Sequence, residues 1–552
     1  MVTSTFDDAR EALAAWRADI PEDPFAADWA LRALIDGTDL AAARRAALAA
    51  SAAAFGREVV ATIAPAAARY EQRGHGPELA RWDGIGRRVE RVDFDGAYAR
   101  AGQAVWAGGL VAESGTAGRA FEQATLLYLL SSEGEAGHAC PAVCTIGLAR
   151  ALRRRGDAAI RDQFLPPLLE RDYSHTQRGS QFLTEVQGGS DVGANACVAR
   201  PAGDGSYLIS GEKWFCSVAD ADQFLVTARP VGAAEGTRGL GCFVVPRTVD
   251  GQPNGFALRR LKDKLGTRGL ASGEIDFDGA RAWPIGPVDE GFKTAVGIVL
   301  NTSRWLTAVG ATGMMRRAVV EARGYARNRR AFGRPIDEFP LVRRTLASMT
   351  CSWLAALHLS WMLTELEDAV DAGTADDETV RFHRFLVNAA KYAASSAATR
   401  VVRDGIEVLG GNGTIEDFSV LPRLYRDAIV YESWEGTHNV IAQQVLNDCA
   451  RLGLLSVVAD RIDRLGVPAV AEPAKSALSD AQRALDDPGW GALHFRSVLD
   501  RLAAVLATAS LLARGGGTPA GAAGELLAAQ LDPAYRPGDD DDLPARIDAV
   551  LA

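Results

Sequence analysis

The feature that most constrains this chain is a change of periodicity along it. From about Asp8 to Arg178 apolar residues recur every three or four positions among Ala, Leu, Arg and Glu, the period of helices. Ala120, Ala124, Leu127 and Leu130 make one such stripe, and Ala142 to Leu152 reads as a buried helix. Between about Gln181 and Ile285 the runs shorten and fill with β-formers, as in Tyr207-Leu208-Ile209-Ser210, Phe224-Leu225-Val226-Thr227, Cys242-Phe243-Val244-Val245 and Glu274-Ile275-Asp276-Phe277. Gly, Asp and Pro separate them at the spacing of a small antiparallel sandwich or barrel. After Gly291-Phe292 the helical period returns, with Met315, Val319, Ala322 and Tyr325 on one stripe, and lasts to about Leu446. The order is therefore α, then β, then α.

Beyond Ala450 the text is helical again, with stripes from Leu452 to Leu465 and from Phe495 to Leu512. Gly515-Gly516-Gly517 breaks it, and Asp539 to Asp542 reads as a solvated acidic turn or tail. The expected domains are a helical one over 1–180, a β domain over 181–290, a helical bundle over 291–450 and a helical extension over 451–552. A chain of 552 residues is too long for one core, and 48% hydrophobic content excludes global disorder. The 60 Lys+Arg against 70 Asp+Glu give a net charge of −10, which opposes a general polyanion-binding role. Seven Cys, an odd number scattered from Cys140 to Cys449, do not form the framework of a secreted disulfide protein. The acidic start from Met1 to Asp8 lacks the form of an export leader, and no uninterrupted apolar run reaches about 18 residues. A soluble, cytoplasmic protein without a membrane partner is expected.

Several short segments can carry chemistry. Thr184-Glu185-Val186-Gln187-Gly188-Gly189-Ser190-Asp191 combines a Gly pair, which permits a tight turn and close backbone approach, with hydroxyls for a polar ligand. Gly211-Glu212-Lys213-Trp214-Phe215-Cys216-Ser217 reads as a strand that sends Trp214 and Phe215 to opposite faces, one for the core and one for a flat ligand. Arg329-Arg330-Ala331-Phe332-Gly333 and Gly410-Gly411-Asn412-Gly413 supply an Arg fork and a Gly-rich turn, both suited to a pyrophosphate. In Trp434-Glu435-Gly436 an apolar wall and a permissive Gly flank a carboxylate, so Glu435 is a candidate general base. Taken singly, each also fits a bland role: a plain turn, core packing, a solvated charge, or an acid at a helix start.

In order and spacing these pieces resemble the acyl-CoA dehydrogenase superfamily, most closely its AidB-like branch. The resemblance runs from about Trp82 to Leu446 through Trp82-Asp83, Cys140-Pro141, the string from Thr184 to Val192, that from Gly211 to Val218, Leu261 to Arg268, Glu407 to Thr414 and Pro422 to Asp427. It implies an α+β fold of that family: N-terminal helical domain, central antiparallel β domain and C-terminal helical bundle, here with an extra C-terminal helical section. It also implies a non-covalent FAD between the β domain and the second helical domain, with two subunits commonly completing one cofactor site.

By position, Thr184, Gly189 and Ser190 match the family's flavin and pyrophosphate contacts, and Phe215 and Ser217 its aromatic-x-Thr/Ser contact beside the isoalloxazine. Arg329 and Phe332 match the R-x-x-F-G contact, and Gly410, Gly411 and Gly413 the Gly-rich element, both usually presented to a neighbouring subunit's FAD. Thr437 and Asn439 match further flavin-side positions. Glu435 matches the catalytic base, which removes the α-proton of an acyl thioester while the β-hydrogen leaves as hydride to flavin N5, giving a trans-2-enoyl product. Hydrogen bonds from the main-chain N–H of Glu435 and the flavin ribitol to the thioester oxygen would acidify that proton.

The implied function is that of a flavoprotein oxidoreductase acting on thioesters of CoA or a carrier protein. An electron-transfer flavoprotein is the implied electron acceptor, and a homotetramer is expected ahead of a homodimer. The alternative is an AidB-like flavoprotein that binds or protects nucleic acid with little dehydrogenase activity. The branch's namesake binds DNA through basic residues of its C-terminal helical domain. Residues 451–552 here carry ten Lys+Arg against fourteen Asp+Glu, which disfavours a duplex; subunit contacts or a cover over the substrate entrance fit better. Oxygenase or nitroalkane-oxidase chemistry usually accompanies replacement of this Glu. Arg304 and Arg426-Asp427 read as domain-fixing ion-pair residues, His438 as a support residue and Cys216 as a small strand residue near the flavin; no Cys/His grouping has metal spacing, and no metal is expected.

Overall fold

The computed structural model describes residues 2–552, with side chains from Phe6 onward. The chain packs as two units. One takes the chain up to Arg57, Ser131–Gly134 and Thr307–Ala552; the other takes Glu58–Leu130 and Glu135–Leu306.

The second unit holds a seven-stranded sheet. Its order is Phe256–Leu261, Ser272–Pro284, Tyr207–Ser217, Val198–Pro201, Gln223–Pro230 and Gly179–Phe182, with Gly241–Pro246 pairing both Ser272–Pro284 and Gln223–Pro230. Most pairs are antiparallel, but Gln223–Pro230 runs parallel to Gly179–Phe182 and to Val198–Pro201. Each parallel pair is joined by a connection that includes Tyr207–Ser217, since a tight turn cannot reverse the chain twice. Inside, Phe224 gathers Phe182 at 5.1 Å, Phe256 at 5.2 Å and Phe277 at 6.4 Å. On the sheet lies the helix Ala136–Arg155, whose Leu148 and Leu152 join Leu225, Val244, Ile285 and Val299 in one buried cluster.

The expected stripe on Ala120–Ser131 is a helix buried on every side, with Phe121, Leu126 and Leu129 as enclosed as the predicted positions. Its polar residues are enclosed as well and carry partners: Glu122 pairs with Arg119 at 2.9 Å, and Gln123 accepts from Arg150 at 2.7 Å. A hairpin, Glu78–Trp82 with Arg88–Asp93, interrupts the stretch read as helical. Val89 and Val92 stand three apart, which imitates a helical period; in the strand Glu90 and Val92, two apart, share the inward face while Val89 is exposed, and the left-handed Glu90, φ 47°, lies at a bulge in the pairing. The buried Glu90 carboxylate accepts from the Leu258 amide at 2.7 Å, which covers the edge strand Phe256–Leu261.

The first unit is helical. Pro340–Ala372 and Asp377–Leu409 pack as long antiparallel neighbours, followed by Leu421–Ser433 and His438–Leu452. The section after Ala450 continues this bundle, with Pro488–Arg514 packed on Pro340–Ala372 and His438–Leu452. Asp539 to Asp542 form a turn before a last helix, Leu543–Leu551, with Asp540 accepting from the Tyr535 hydroxyl. Ala42–Tyr70 and Pro340–Ala372 are long and apolar enough to cross a bilayer by length and composition, yet 83% of the second one's apolar window is buried in protein, as in a core helix.

Candidate active site

In the β unit, the chain leaves Gly179–Phe182 and turns at Glu185 and Gly188, which are bridged by the Gly188 amide donating to the Glu185 carbonyl at 3.0 Å. A Cβ at Gly189 would lie 2.4 Å from Thr184 Oγ1, so any larger residue there would have to push the Thr184 side chain aside. The loop leaves Gly189 and Ser190 exposed and Thr184 half-buried. Its anchor is an ion pair that the sequence reading passed over. The Lys213 ammonium, fully buried, lies 2.7 Å from Glu185 Oε1, and the Glu185 carboxylate also accepts from the amides of Ala196 at 2.5 Å and Cys197 at 3.2 Å. Burial opposes ionisation of Glu185, but Lys213 and these hydrogen bonds outweigh it and hold the carboxyl below its ordinary range. The paired strings Thr184-Glu185 and Glu212-Lys213 were the available signal.

Thr184 is tied to the second segment, since its carbonyl accepts from the Trp214 amide at 2.9 Å. Trp214 and Phe215 do not alternate between core and solvent as expected. Ile275 pairs with Lys213 and Gly273 with Cys216, so the strand Tyr207–Ser217 carries one extra residue there. This bulge buries Lys213 and Cys216 and leaves Trp214 half-buried and Phe215 53% exposed. The Lys262 ammonium sits over both rings, 3.6 Å from the Trp214 centroid and 4.7 Å from that of Phe215, and is pinned by Glu274 at 2.7 Å. Ser217 ends the strand half-buried, opposite Ser272, and the next residue, the buried β-branched Val218, is forced to φ 59°. Cys216 is fully buried, which raises its thiol pKa, and the thiol donates to the Lys213 carbonyl.

In the helical unit, Arg330–Ala331 and Arg334–Pro335 form a small hairpin whose turn places Phe332 at φ 51° and Gly333 at φ 87°. Phe332 is 97% exposed, so this backbone strain serves to present an aromatic outward rather than to pack one. Arg329 is exposed and lines a cavity of ≈ 200 Å³ with Trp16, Tyr325 and Asn328. Gly410–Thr414 continues Asp377–Leu409 as one tight turn. Gly410 needs its φ of 63°; a Cβ at Gly413 would lie 2.5 Å from the Ile406 carbonyl oxygen, whereas Gly411 is open and exposed.

Glu435 lies between helices. Leu421–Ser433 ends where Trp434 turns extended, and His438–Leu452 starts with Thr437 as N-cap residue, so Glu435 stands outside that helix's first turn. Glu435 adopts φ 59°, a left-handed conformation that a side chain other than glycine enters only at a cost. The Trp434 ring leans on Tyr431 at 5.0 Å. Holding the turn from beneath is Lys391, fully buried, whose ammonium donates to the main-chain carbonyls of Glu432 and Gly436, each at 3.0 Å. No local sequence pattern marks Lys391, which lies 41 and 45 positions from these carbonyls. Lys391→Met should leave both carbonyls short of a donor and cost about 2–4 kcal/mol. A calorimetric melt at matched flavin content checks this; an unchanged melting temperature would remove Lys391 from the support of the turn.

Thr437 and Asn439 are exposed. Asn439 Oδ1 accepts from Arg496 at 3.1 Å. His438 is buried with its pKa lowered, chiefly by that burial and then by Lys391, and its ring stands edge-on to Tyr392 at 5.0 Å. Arg426 pairs with Glu416, and Asp427 and Arg304 are buried. Among the described residues, no group of three His, Cys, Asp or Glu could hold a metal ion.

These residues fit a flavin nucleotide. Phe215 offers a large ring over half exposed in an otherwise packed sheet, next to an open loop of hydroxyls and glycines, as a flat heterocycle with a phosphate tail requires.

Residues 19–175 match the family model for the adaptive response protein AidB N-terminal domain, 180–280 that for the acyl-CoA dehydrogenase middle domain, and 289–448 that for the acyl-CoA dehydrogenase C-terminal domain. The chain is 36% identical over 382 residues to the putative acyl-CoA dehydrogenase AidB of Escherichia coli, spanning 67% of this chain and 68% of that protein. It is 34% identical over 393 residues to acyl-CoA dehydrogenase family member 11 of Caenorhabditis elegans, of whose length it spans 62%. The crystal structure of C. elegans ACDH-11 in complex with C11-CoA superposes with a TM-score of 0.84 at 27% identity, covering 92% of this chain and 90% of that one. That likeness therefore reaches into the section beyond residue 448.

Proposed function

Because the chain belongs to the acyl-CoA dehydrogenase superfamily, in its AidB-like branch, we propose that it is an α,β-dehydrogenase of acyl thioesters with Glu435 as its general base. FAD is the cofactor; when bound it supplies the acceptor for the β-hydrogen, taken as hydride. The observation that carries the reading is the placement of Glu435. A carboxylate at a strained left-handed position, between Trp434 and Gly436 and held from below by Lys391, is built for a task other than packing.

Glu435 takes the α-proton, and its main-chain N–H polarises the thioester carbonyl so that the proton is acidic when it leaves. Phe215 and Ser217 hold the flavin ring, while Thr184, Gly189 and Ser190 serve its flavin-side and pyrophosphate contacts. Arg329, Phe332, Gly410, Gly411 and Gly413 serve the FAD of a neighbouring copy, so the working form is a homo-oligomer, a homotetramer ahead of a homodimer. An electron-transfer flavoprotein reoxidises the enzyme, which works in the cytoplasm.

An acyl-CoA is favoured as substrate class by the C11-CoA bound to the nematode relative. Anaerobic titration of the FAD-loaded protein with straight, branched and medium-chain acyl-CoA and acyl-carrier thioesters tests the reading. At least one should bleach the flavin absorbance; no bleaching by any of them, with a salt-sensitive shift of duplex DNA, would replace it with the nucleic-acid reading.

A further inference from the structure

The helix Pro488–Arg514 lies beyond the segment matched by the family models, yet it reaches the start of the helix that follows the Glu435 turn. Arg496 and Asp500, one helical turn apart, meet on a single hydroxyl. Asp500 Oδ1 accepts from Tyr392 Oη at 2.7 Å, and Arg496 Nε donates to that same oxygen at 3.2 Å. With Nη1 Arg496 donates to Asn439 Oδ1 at 3.1 Å, and its Nη2 lies 3.5 Å from His438 Nδ1. The guanidinium thus spans three groups in a fixed fork, a geometry that lysine cannot reproduce.

The placement of these groups gives the fork its significance. Tyr392 is the chain neighbour of Lys391, which bridges the carbonyls of Glu432 and Gly436, and His438 and Asn439 open the helix that follows Gly436-Thr437. The strained residue Glu435 is therefore bracketed: Lys391 holds both of its flanks, and Arg496 with Asp500 holds Tyr392 and the helix start beyond. Isolated surface ion pairs contribute little, and Arg496 and Asn439 are exposed, but Tyr392 is 1% exposed and His438 8%, so two of the three groups met by the fork are screened from water.

We propose that Arg496 is a positioning residue for the reaction: by clamping Tyr392, His438 and Asn439 together, it makes the C-terminal section part of the support of the Glu435 turn rather than an appendage. This rests on the reading of Glu435 as the base, and its test separates the two. The full-length, FAD-loaded protein is compared with Arg496→Met, which keeps the aliphatic stem. Amide hydrogen exchange across residues 434–440 should quicken about tenfold, with helices elsewhere in the bundle unchanged. Flavin reduction by a competent acyl-CoA should slow about tenfold with the thioester's Kd and the FAD content unchanged, because misplacing a base affects the reacting step and not binding. Arg496→Lys should restore only part of either loss.

Unchanged exchange at 434–440 in Arg496→Met overturns the proposal. A wild-type protein that no thioester bleaches would defeat the reading of Glu435, while the exchange measurement would still decide whether the C-terminal section holds the turn. Should Arg496→Met lose its fold, Tyr392→Phe, which removes one buried hydroxyl, carries the same measurement with the same deciding outcome.

Discussion

Glu435→Gln should reduce its flavin about 10²–10⁴ times more slowly than the wild type with any thioester the wild type oxidises, the span that a positioned base contributes. Glutamine keeps the size and hydrogen-bonding reach of the side chain but cannot accept the α-proton. The left-handed backbone at Glu435 and the Lys391 bridge beneath it depend on main-chain carbonyls and stay in place. Flavin content and thioester binding should therefore change little. Stopped-flow anaerobic bleaching separates binding from the chemical step, and wild-type rates in this variant would remove Glu435 from its role.

Lys213→Met should destabilise the β unit by about 3–5 kcal/mol, the cost of leaving a buried charge without its counter-ion. The charge left behind is Glu185, whose side chain is 2% exposed and whose carboxylate is aimed at the amides of Ala196 and Cys197. Because this pair anchors the loop from Thr184 to Ser190, the variant should also shed flavin at lower temperature. Adding Glu185→Gln should recover part of the loss, since the orphaned charge is then gone. A double variant as unstable as the single one would show that packing, not charge, is at stake.

The same pair sets an acid limit. The Glu185 carboxyl is held below its ordinary range in the folded state, so its stabilisation is complete above the unfolded pKa and is lost as pH falls through the lowered native value. Flavin release on acidification should therefore begin only once the pH has fallen below the ordinary carboxylate range. Fluorescence of released flavin across an acid titration checks the direction, and Glu185→Gln should flatten this portion of the curve.

The order of helical, sheet and helical sections was legible because each period of apolar residues suits only one kind of element. The hairpin at Glu78–Trp82 and Arg88–Asp93 was not, because Val89 and Val92 imitate a helical spacing and the bulge at the left-handed Glu90 leaves no mark in composition. Phe215 and Trp214 were legible as aromatics that matter, but their directions were not. Strand alternation assigned them opposite faces, and a bulge whose register depends on Ser272–Pro284 overrode it.

The site divides in the same way. Residues whose chemistry is local, such as the glycines of tight turns and the acid in Trp434-Glu435-Gly436, could be named from short strings because a turn is specified by the residues within it, whereas Phe332 was named only through the family resemblance. Lys213, Lys391, Lys262 and Arg496 could not: each acts on groups distant in the chain, as Lys391 does on carbonyls 41 and 45 positions away and Arg496 on Asn439, 57 positions away. A lysine or arginine reads as a solvated charge until packing removes the water around it, as at Lys213 and Lys391, or brings a set of distant acceptors within its reach, as at the exposed Arg496. Local chemistry and element type were thus written in the sequence itself, whereas the cations that hold the site in shape were decided only by tertiary packing, since the strength of a charge's hydrogen bonds depends on what surrounds it.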